Sequence, residues 1–140
     1  MSYEERGQWV YLVANLVTFG AYAMIIASRA MAGTPLTEID YVPLLVTAIV
    51  VAVALSVVGR ILVEIVNRSE SQKADVRDRD IGRRGEYVGG ILLGVAMLVP
   101  LVLALAEADH FWIANAIYVA FALTAFVSTA VKLAAYRRGF

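Results

Sequence analysis

Four long apolar stretches, separated by short polar segments, dominate the chain. They cover residues 8–30, 41–66, 87–106 and 111–136. None shows the strict apolar and polar alternation that is typical of a barrel strand. Each is long enough to cross a bilayer as a helix, which takes about 20 residues. The pattern therefore predicts an all-α, polytopic membrane protein with four transmembrane helices.

The composition agrees with this class and narrows the chemistry. Of the 140 residues, 61% are hydrophobic, against roughly 45–50% in soluble domains. Basic and acidic residues number 12 each, so the net charge is zero and we expect no nucleic acid partner. The chain has no cysteine, which excludes disulfides and thiolate metal sites.

The distribution of basic residues predicts an orientation. Residues 67–86 contain six lysines and arginines, and the chain ends close to Arg137 and Arg138. The turns at 31–40 and 107–110 contain none. Because basic residues collect on the cytoplasmic side of membrane proteins, we predict that both termini and the 67–86 loop face the cytoplasm. The acidic start of the chain and the long first stretch favour a retained span over a signal peptide.

Two parts of the chain resemble each other. Residues 6–10 read RGQWV and residues 84–88 read RGEYV, each at the start of an apolar stretch. Near the hairpin exits, Ser56 precedes Arg60 as Ser128 precedes Lys132. We interpret the chain as one domain, 1–140, built of two tandem, parallel-repeat hairpins at 1–66 and 87–140, joined by the charged loop 67–86. Such repeats are related by an axis along the membrane normal.

The repeat places four basic side chains at the cytoplasmic ends of the helices. They are Arg6, Arg60, Arg84 and Lys132. At this level they would meet lipid headgroups or bind an anion. A simpler alternative is that they only extend towards the interface, as long basic side chains do near helix ends.

A few polar residues lie within the apolar stretches. Asn15 and Asn115 are expected to hydrogen-bond to neighbouring helices, with a substrate or ion site around Asn15 as the alternative. Glu64 lies four residues after Arg60 on one helix face, and we expect these two to form a local ion pair.

Small residues in the third stretch predict close helix packing. Gly90 and Gly94 form a small-x-x-x-small face, which Gly85 and Gly89 extend inwards. Pro100 lacks a backbone donor and should bend the outer part of the helix. Since four helices bury little of their own surface, we expect a homo-oligomer, most simply a two-fold dimer.

Catalytic and metal-binding chemistry find little support. The single histidine, His110, lies in the short 107–110 turn with Glu107 and Asp109, which is too few ligands for a firm metal site. An activated nucleophile needs an adjacent base, and no such pair is indicated. We therefore expect a protein that is not an enzyme and that holds no cofactor or metal.

The charged loop is the most unusual part of the sequence. If it is helical, Asp75 and Arg79 are spaced for ion pairing, as are Asp80 and Arg84, with Gly82 and Gly85 ending that helix before the third span. The predicted contact residues for a partner are Asp75, Arg77, Asp78, Arg79, Asp80, Arg83 and Arg84.

The segment 75–85, DVRDRDIGRRG, resembles a signature, D-E-R-D-x-x-I-x-x-R-G, of short uncharacterised four-span membrane proteins of bacteria and archaea. Val76 departs from the usual glutamate. The matching residues are Asp75, Arg77, Asp78, Ile81, Arg84 and Gly85. The resemblance implies a prokaryotic plasma membrane. It also implies a soluble regulator as a partner, because similar proteins are often encoded beside small helix-turn-helix regulators.

Two functions are compatible with the sequence. The first is a non-enzymatic interaction, accessory or regulatory subunit that uses the charged loop as its contact surface. The alternative is a small oligomeric transporter or channel for an ion or small solute, which the paired hairpins, Asn15 and Pro100 would serve.

Overall fold

The computed structural model describes residues 3–66 and 76–138, and within them the chain is helical with short turns and no strand. The helices are α1 (Tyr3–Met31), a 3-10 helix (Leu36–Glu38), α2 (Val42–Val66), α3 (Val76–Ala96), α4 (Leu98–Leu105) and α5 (His110–Arg138). Four helical segments are long and apolar enough to cross a membrane, with α3 and α4 together forming one of them. The predicted all-α class with four spans is confirmed to this extent.

Local capping determines where two of the long helices end and begin. At the end of α1 the chain turns at Gly33, whose φ of 96° is unfavourable for other residues. The Gly33 and Thr34 amides donate to the Ala30 and Arg29 carbonyls, as in a Schellman motif. At the start of α5, the Asp109 carboxylate accepts a 2.8 Å hydrogen bond from the Phe111 amide and caps the helix.

The third span is broken in its outer part, where the sequence predicts a bend. α3 ends at Ala96, and α4 begins at Leu98 after a single residue, Met97. Pro100 lies in the first turn of α4 and is buried. Since proline has no N–H to donate to the carbonyl four residues earlier, the helix is interrupted just before it.

The main packing contacts run in the order α2, α1, α5, α3, with α4 also against α5. α5 is therefore central, whereas none of the residues of α2 is buried. A two-fold axis that relates the hairpins would place α1 on α3 and α2 on α5. The contact between α1 and α5 would then be repeated between α3 and α2. α2 and α3 are not packed to this extent, so the bundle is open between them. The tandem repeat stays a prediction from the sequence.

The two ends of the bundle differ. We call the end with the 3-10 helix and the turn before α5 the distal end, and the end with Glu4, Arg60 and Lys132 the basal end. A cluster of buried residues that pack together lies distally and consists of Tyr22, Ile26, Ile39 and Phe111. Ile39 reaches it because the 3-10 segment folds over the helix ends.

Glycines bring α3 close to α5. Gly85 and Gly89 are buried, and a Cβ atom added at Gly89 would lie 3.1 Å from the Ser128 Cβ atom. Around Gly90 and Gly94, by contrast, an added Cβ atom would meet nothing within 4 Å. The intramolecular packing face is therefore Gly85 and Gly89, and the Gly90 and Gly94 face points away from the bundle.

The close approach of α3 and α5 makes a stability prediction. We expect Gly89→Leu to lower the free energy of unfolding by about 1–3 kcal/mol, because the added side chain overpacks the contact with Ser128. The control is Gly82→Leu in the same helix, where a Cβ atom meets nothing within 4 Å. The measurement is unfolding in detergent followed by circular dichroism. Equal stability of the two variants would contradict the packing described.

Candidate functional site

Charged side chains at the basal end connect helices in pairs. Arg60 Nη2 of α2 lies 3.4 Å from Glu4 Oε1 of α1. Lys132 Nζ of α5 lies 3.7 Å from Glu86 Oε1 of α3. Both pairs have at least one well-exposed partner, so each contributes little to stability. Their effect is to orient the side chains.

The predicted local pair of Arg60 with Glu64 is wrong. Arg60 reaches across to Glu4, because α1 and α2 form an antiparallel hairpin that places the start of α1 beside this turn of α2. Glu64 lies one turn further along α2 and is exposed. The spacing of four residues does place Arg60 and Glu64 on one helix face, but Arg60 pairs with Glu4 of the neighbouring helix instead.

The last turns of α5 contact both α1 and α3. The Arg137 guanidinium lies 5.4 Å from the centre of the Trp9 ring, within cation–π range. The Tyr136 hydroxyl hydrogen-bonds to Asp78 of α3. Asp78, which the sequence groups with the partner contacts, is therefore half-buried and serves to fix α3 on α5.

The basic surface of α3 is helical and exposed. α3 begins at Val76 and runs through Gly82 and Gly85 without interruption. The expectation that these glycines end a separate loop helix is wrong, because Gly85 packs on α5, and its carbonyl accepts a 2.9 Å hydrogen bond from Ser128 Oγ. Asp75 lies outside the described residues. The exposed predicted contacts, which we call the charged surface of α3, are Arg77, Arg79, Asp80, Arg83 and Arg84.

A cavity of about 450 Å³ opens at the basal end between α1, α2 and α5. We call it the basal cavity. It brings together Arg60 and Lys132, two of the four cations predicted to share a level. Arg84 lines a separate depression of about 390 Å³ on α3, and Arg6 lines neither. The other polar residues around the basal cavity are Gln8, Tyr11, Ser56, Thr124, Ser128 and Thr129.

A second cavity, of about 410 Å³, continues from the first towards the distal end. We call it the distal cavity. The two share Tyr11, Phe121 and Ala125. Most of its lining is apolar, with Leu45, Ile49 and further aliphatic and aromatic side chains. Together they form a groove that is polar at the basal end and apolar beyond it.

The two asparagines within the spans behave differently. Asn115 accepts a 2.6 Å hydrogen bond from the Tyr22 hydroxyl of α1, the predicted cross-helix bond. Asn15 lines the distal cavity, but its Nδ2 donates to the Tyr11 carbonyl of its own helix at 2.8 Å. The expectation of a cross-helix bond is therefore wrong for Asn15, which bonds its own backbone four residues earlier.

Asp109 in the distal turn has a structural role. Asp109 caps α5 through its side chain, and Glu107 adopts a left-handed backbone with φ of 52°. Across residues 3–66 and 76–138, no group of three or more histidines, cysteines and acids is close enough to hold a metal ion.

The basal cavity is not visible as a site in the sequence. Ser56 and Arg60 share a helix face because they are four residues apart, and so do Ser128 and Lys132. In the sequence, these residues indicate only a repeat. That both pairs face one space, with Gln8 between them, depends on the order in which the helices pack.

Comparison with known proteins identifies no relative. No protein-family model, no curated protein and no solved structure matches the chain. The resemblance of segment 75–85 to a membrane protein signature, and the regulator it implies, therefore remain predictions from the motif alone.

The Tyr22 to Asn115 bond gives a second stability prediction. Tyr22→Phe should lower the free energy of unfolding by about 0.6–1.7 kcal/mol, the range of hydrogen bonds between membrane helices. Tyr118→Phe is the matched control, since the Tyr118 ring packs edge-on against Tyr22 and no hydrogen bond of its hydroxyl to any described residue is present. Denaturant titration in mixed micelles measures both. An equal loss in the two variants would mean that the bond contributes nothing.

Proposed function

We propose that this chain is a multi-pass protein of a prokaryotic plasma membrane, with both termini in the cytoplasm, that acts as a non-enzymatic interaction or regulatory subunit. Its charged surface of α3 would contact a cytoplasmic protein. The observation that carries this proposal is a set of exposed arginines on a helix that extends beyond the apolar span and is fixed to the bundle.

Membrane insertion is supported by the outer surface of the bundle. α2 buries none of its residues, although most of its side chains are aliphatic. Aliphatic side chains on α1, α3, α4 and α5 are also exposed along their lengths. Soluble monomers rarely expose apolar patches of more than a few hundred Å², whereas a lipid environment covers such a surface at no cost.

The charged surface of α3 is held in a fixed position. Ile81 is buried, at 5% exposure, and Asp78 hydrogen-bonds to Tyr136 of α5. The exposed side chains of Arg77, Arg79 and Arg83 project from the same helical turns. A surface that is already ordered loses less conformational freedom when a partner binds. An acidic patch on a soluble protein is the complementary chemistry.

The alternative, a transporter or channel, receives less support. An ion or polar solute needs polar groups along its path. The polar residues of the groove are concentrated at the basal end, and the distal cavity is mostly apolar. Asn15, the deepest polar candidate, uses an amide hydrogen for its own helix.

The contact function predicts the effect of charge reversal. A photo-crosslinking residue in place of Arg77 should capture a specific soluble protein in cells. Adding Arg79→Glu and Arg83→Glu should reduce the yield of that protein at least about tenfold. The new glutamates would face the acidic patch of the partner, and such like-charge repulsion at an interface costs more than about 1.4 kcal/mol. Crosslinked proteins are identified and quantified by mass spectrometry.

The matched control is Arg29→Glu, which reverses an exposed charge at the distal end, where the guanidinium contacts the Asp40 carbonyl. This variant should keep the crosslink. Circular dichroism of all variants checks that the helices are intact. A yield that is the same in the double variant and in Arg29→Glu would refute the charged surface as the contact site.

We also propose that the chain forms a dimer. Gly90 and Gly94 are exposed, and nothing in the described chain lies within 4 Å of a Cβ atom added there. Two copies of such a face can approach closely in a membrane. A two-fold dimer through α3 leaves the charged surfaces of both copies accessible at the basal end.

The dimer proposal is tested by mass in nanodiscs. Gly90→Leu with Gly94→Leu should shift the protein from dimer to monomer, because the added side chains separate the helices. Gly20→Leu is the control, since Gly20 of α1 also has open space around its Cβ position. A wild-type protein that is monomeric, or a double variant that remains dimeric, would contradict the proposal.

A further inference from the structure

We propose that the groove formed by the basal and distal cavities binds an anionic phospholipid, with its headgroup phosphate at Arg60 and Lys132 and one acyl chain in the apolar part. This inference rests on the proposed membrane insertion. It is independent of the charged surface of α3 and its partner.

The charge of the basal cavity selects an anion. Among the described residues, the charged ones that line it are Arg60 and Lys132. Their acidic neighbours, Glu4 and Glu86, do not line it and lie at 3.4 and 3.7 Å, which are long distances for ion pairs. The Lys132 side chain is only 14% exposed, so little water competes for its ammonium group. A phosphate diester would complete the coordination of both cations.

Neutral donors are also available at this level. Gln8 and Ser56 line the basal cavity, and neither side chain has a hydrogen-bond partner among the described residues. The Thr124 hydroxyl is buried without a partner there as well. Buried polar groups are normally hydrogen-bonded. Phosphate, glycerol and ester oxygens of a lipid would supply the missing acceptors.

The apolar continuation matches an acyl chain in length. On α5, the lining of the distal cavity runs from Ala125 to Ala114, an advance of eleven residues. At the helical rise this is about 17 Å, close to half of a hydrocarbon core of about 30 Å. An acyl chain joined to a headgroup at the basal cations can therefore lie along the apolar part of the groove.

The size of the groove argues against a helix of a second copy. A helix about 10 Å in diameter and 17 Å long occupies on the order of 1300 Å³. The two cavities are about 450 and 410 Å³, a smaller volume, which a flexible acyl chain fills more closely than a helix. α2 and α5, which line opposite sides of the groove, are not closely packed, and the gap between them gives a lipid lateral access.

The first experiment measures lipid retention by native mass spectrometry of full-length protein released from nanodiscs of equimolar phosphatidylglycerol and phosphatidylcholine. Wild-type protein should retain phosphatidylglycerol preferentially. Arg60→Gln with Lys132→Gln should lower that preference about fivefold for each cation lost, the scale of attraction of one basic side chain to anionic lipid. The control, Arg79→Gln with Arg84→Gln, removes two exposed charges outside the basal cavity and should leave the preference unchanged.

The second experiment blocks the apolar part without changing charge. Ala52→Phe places a ring in the distal cavity, which Ala52 lines, and should reduce retention of phosphatidylglycerol. Ala54→Phe, on the exposed face of α2, should have no effect. Circular dichroism checks that each variant folds.

Four results would overturn the proposal. They are no preference for phosphatidylglycerol in the wild type, an equal loss in the two charge variants, retention unaffected by Ala52→Phe, and displacement of the lipid by excess inorganic phosphate. A change from dimer to monomer on Ala52→Phe would assign the groove to a second copy. Crosslinking at the charged surface of α3 should be unaffected by Arg60→Gln with Lys132→Gln and by Ala52→Phe, so the two proposals can fail separately.

Discussion

The close approach of α3 to α5 at Gly85 and Gly89 is the contact on which much of the architecture depends. Because no side chain separates the helices here, Ser128 Oγ reaches the Gly85 carbonyl at 2.9 Å, and Lys132 lies over Gly85. The same contact carries α3 past the apolar span as a continuous helix. It therefore positions both Lys132 in the basal cavity and the charged surface on the outside.

Apolar packing and ion pairs contribute differently to this structure. The buried cluster at the distal end is aromatic and aliphatic, with ring pairs such as Tyr41 and Phe111 at 5.1 Å, and such contacts supply stability. The ion pairs at the basal end are long and partly exposed, so their contribution to stability is small. The ion pairs instead orient the Arg60 and Lys132 side chains, which are held at the entrance of one groove.

Much of the fold was predictable from the sequence, because a run of apolar residues long enough to cross a bilayer has few alternatives to a helix. The Pro100 break follows from its missing donor. The start of α3 was not predictable in the same way. Residues 76–86 are mostly polar and contain Gly82 and Gly85, which are typical of a loop, yet packing on α5 makes them helical. Arg60 likewise takes a partner from α1, and only the packing order reveals it.

The central claim is that the bundle crosses a membrane with its basal end in the cytoplasm. Since the chain has no cysteine, single cysteines can be introduced without background. Thr37→Cys lies in the 3-10 segment at the distal end, and Arg79→Cys lies on the charged surface of α3. In intact cells, a membrane-impermeant maleimide should label Thr37→Cys at once, and Arg79→Cys only after the membrane is permeabilised. Equal labelling of both before permeabilisation, or the reverse order, would contradict the account.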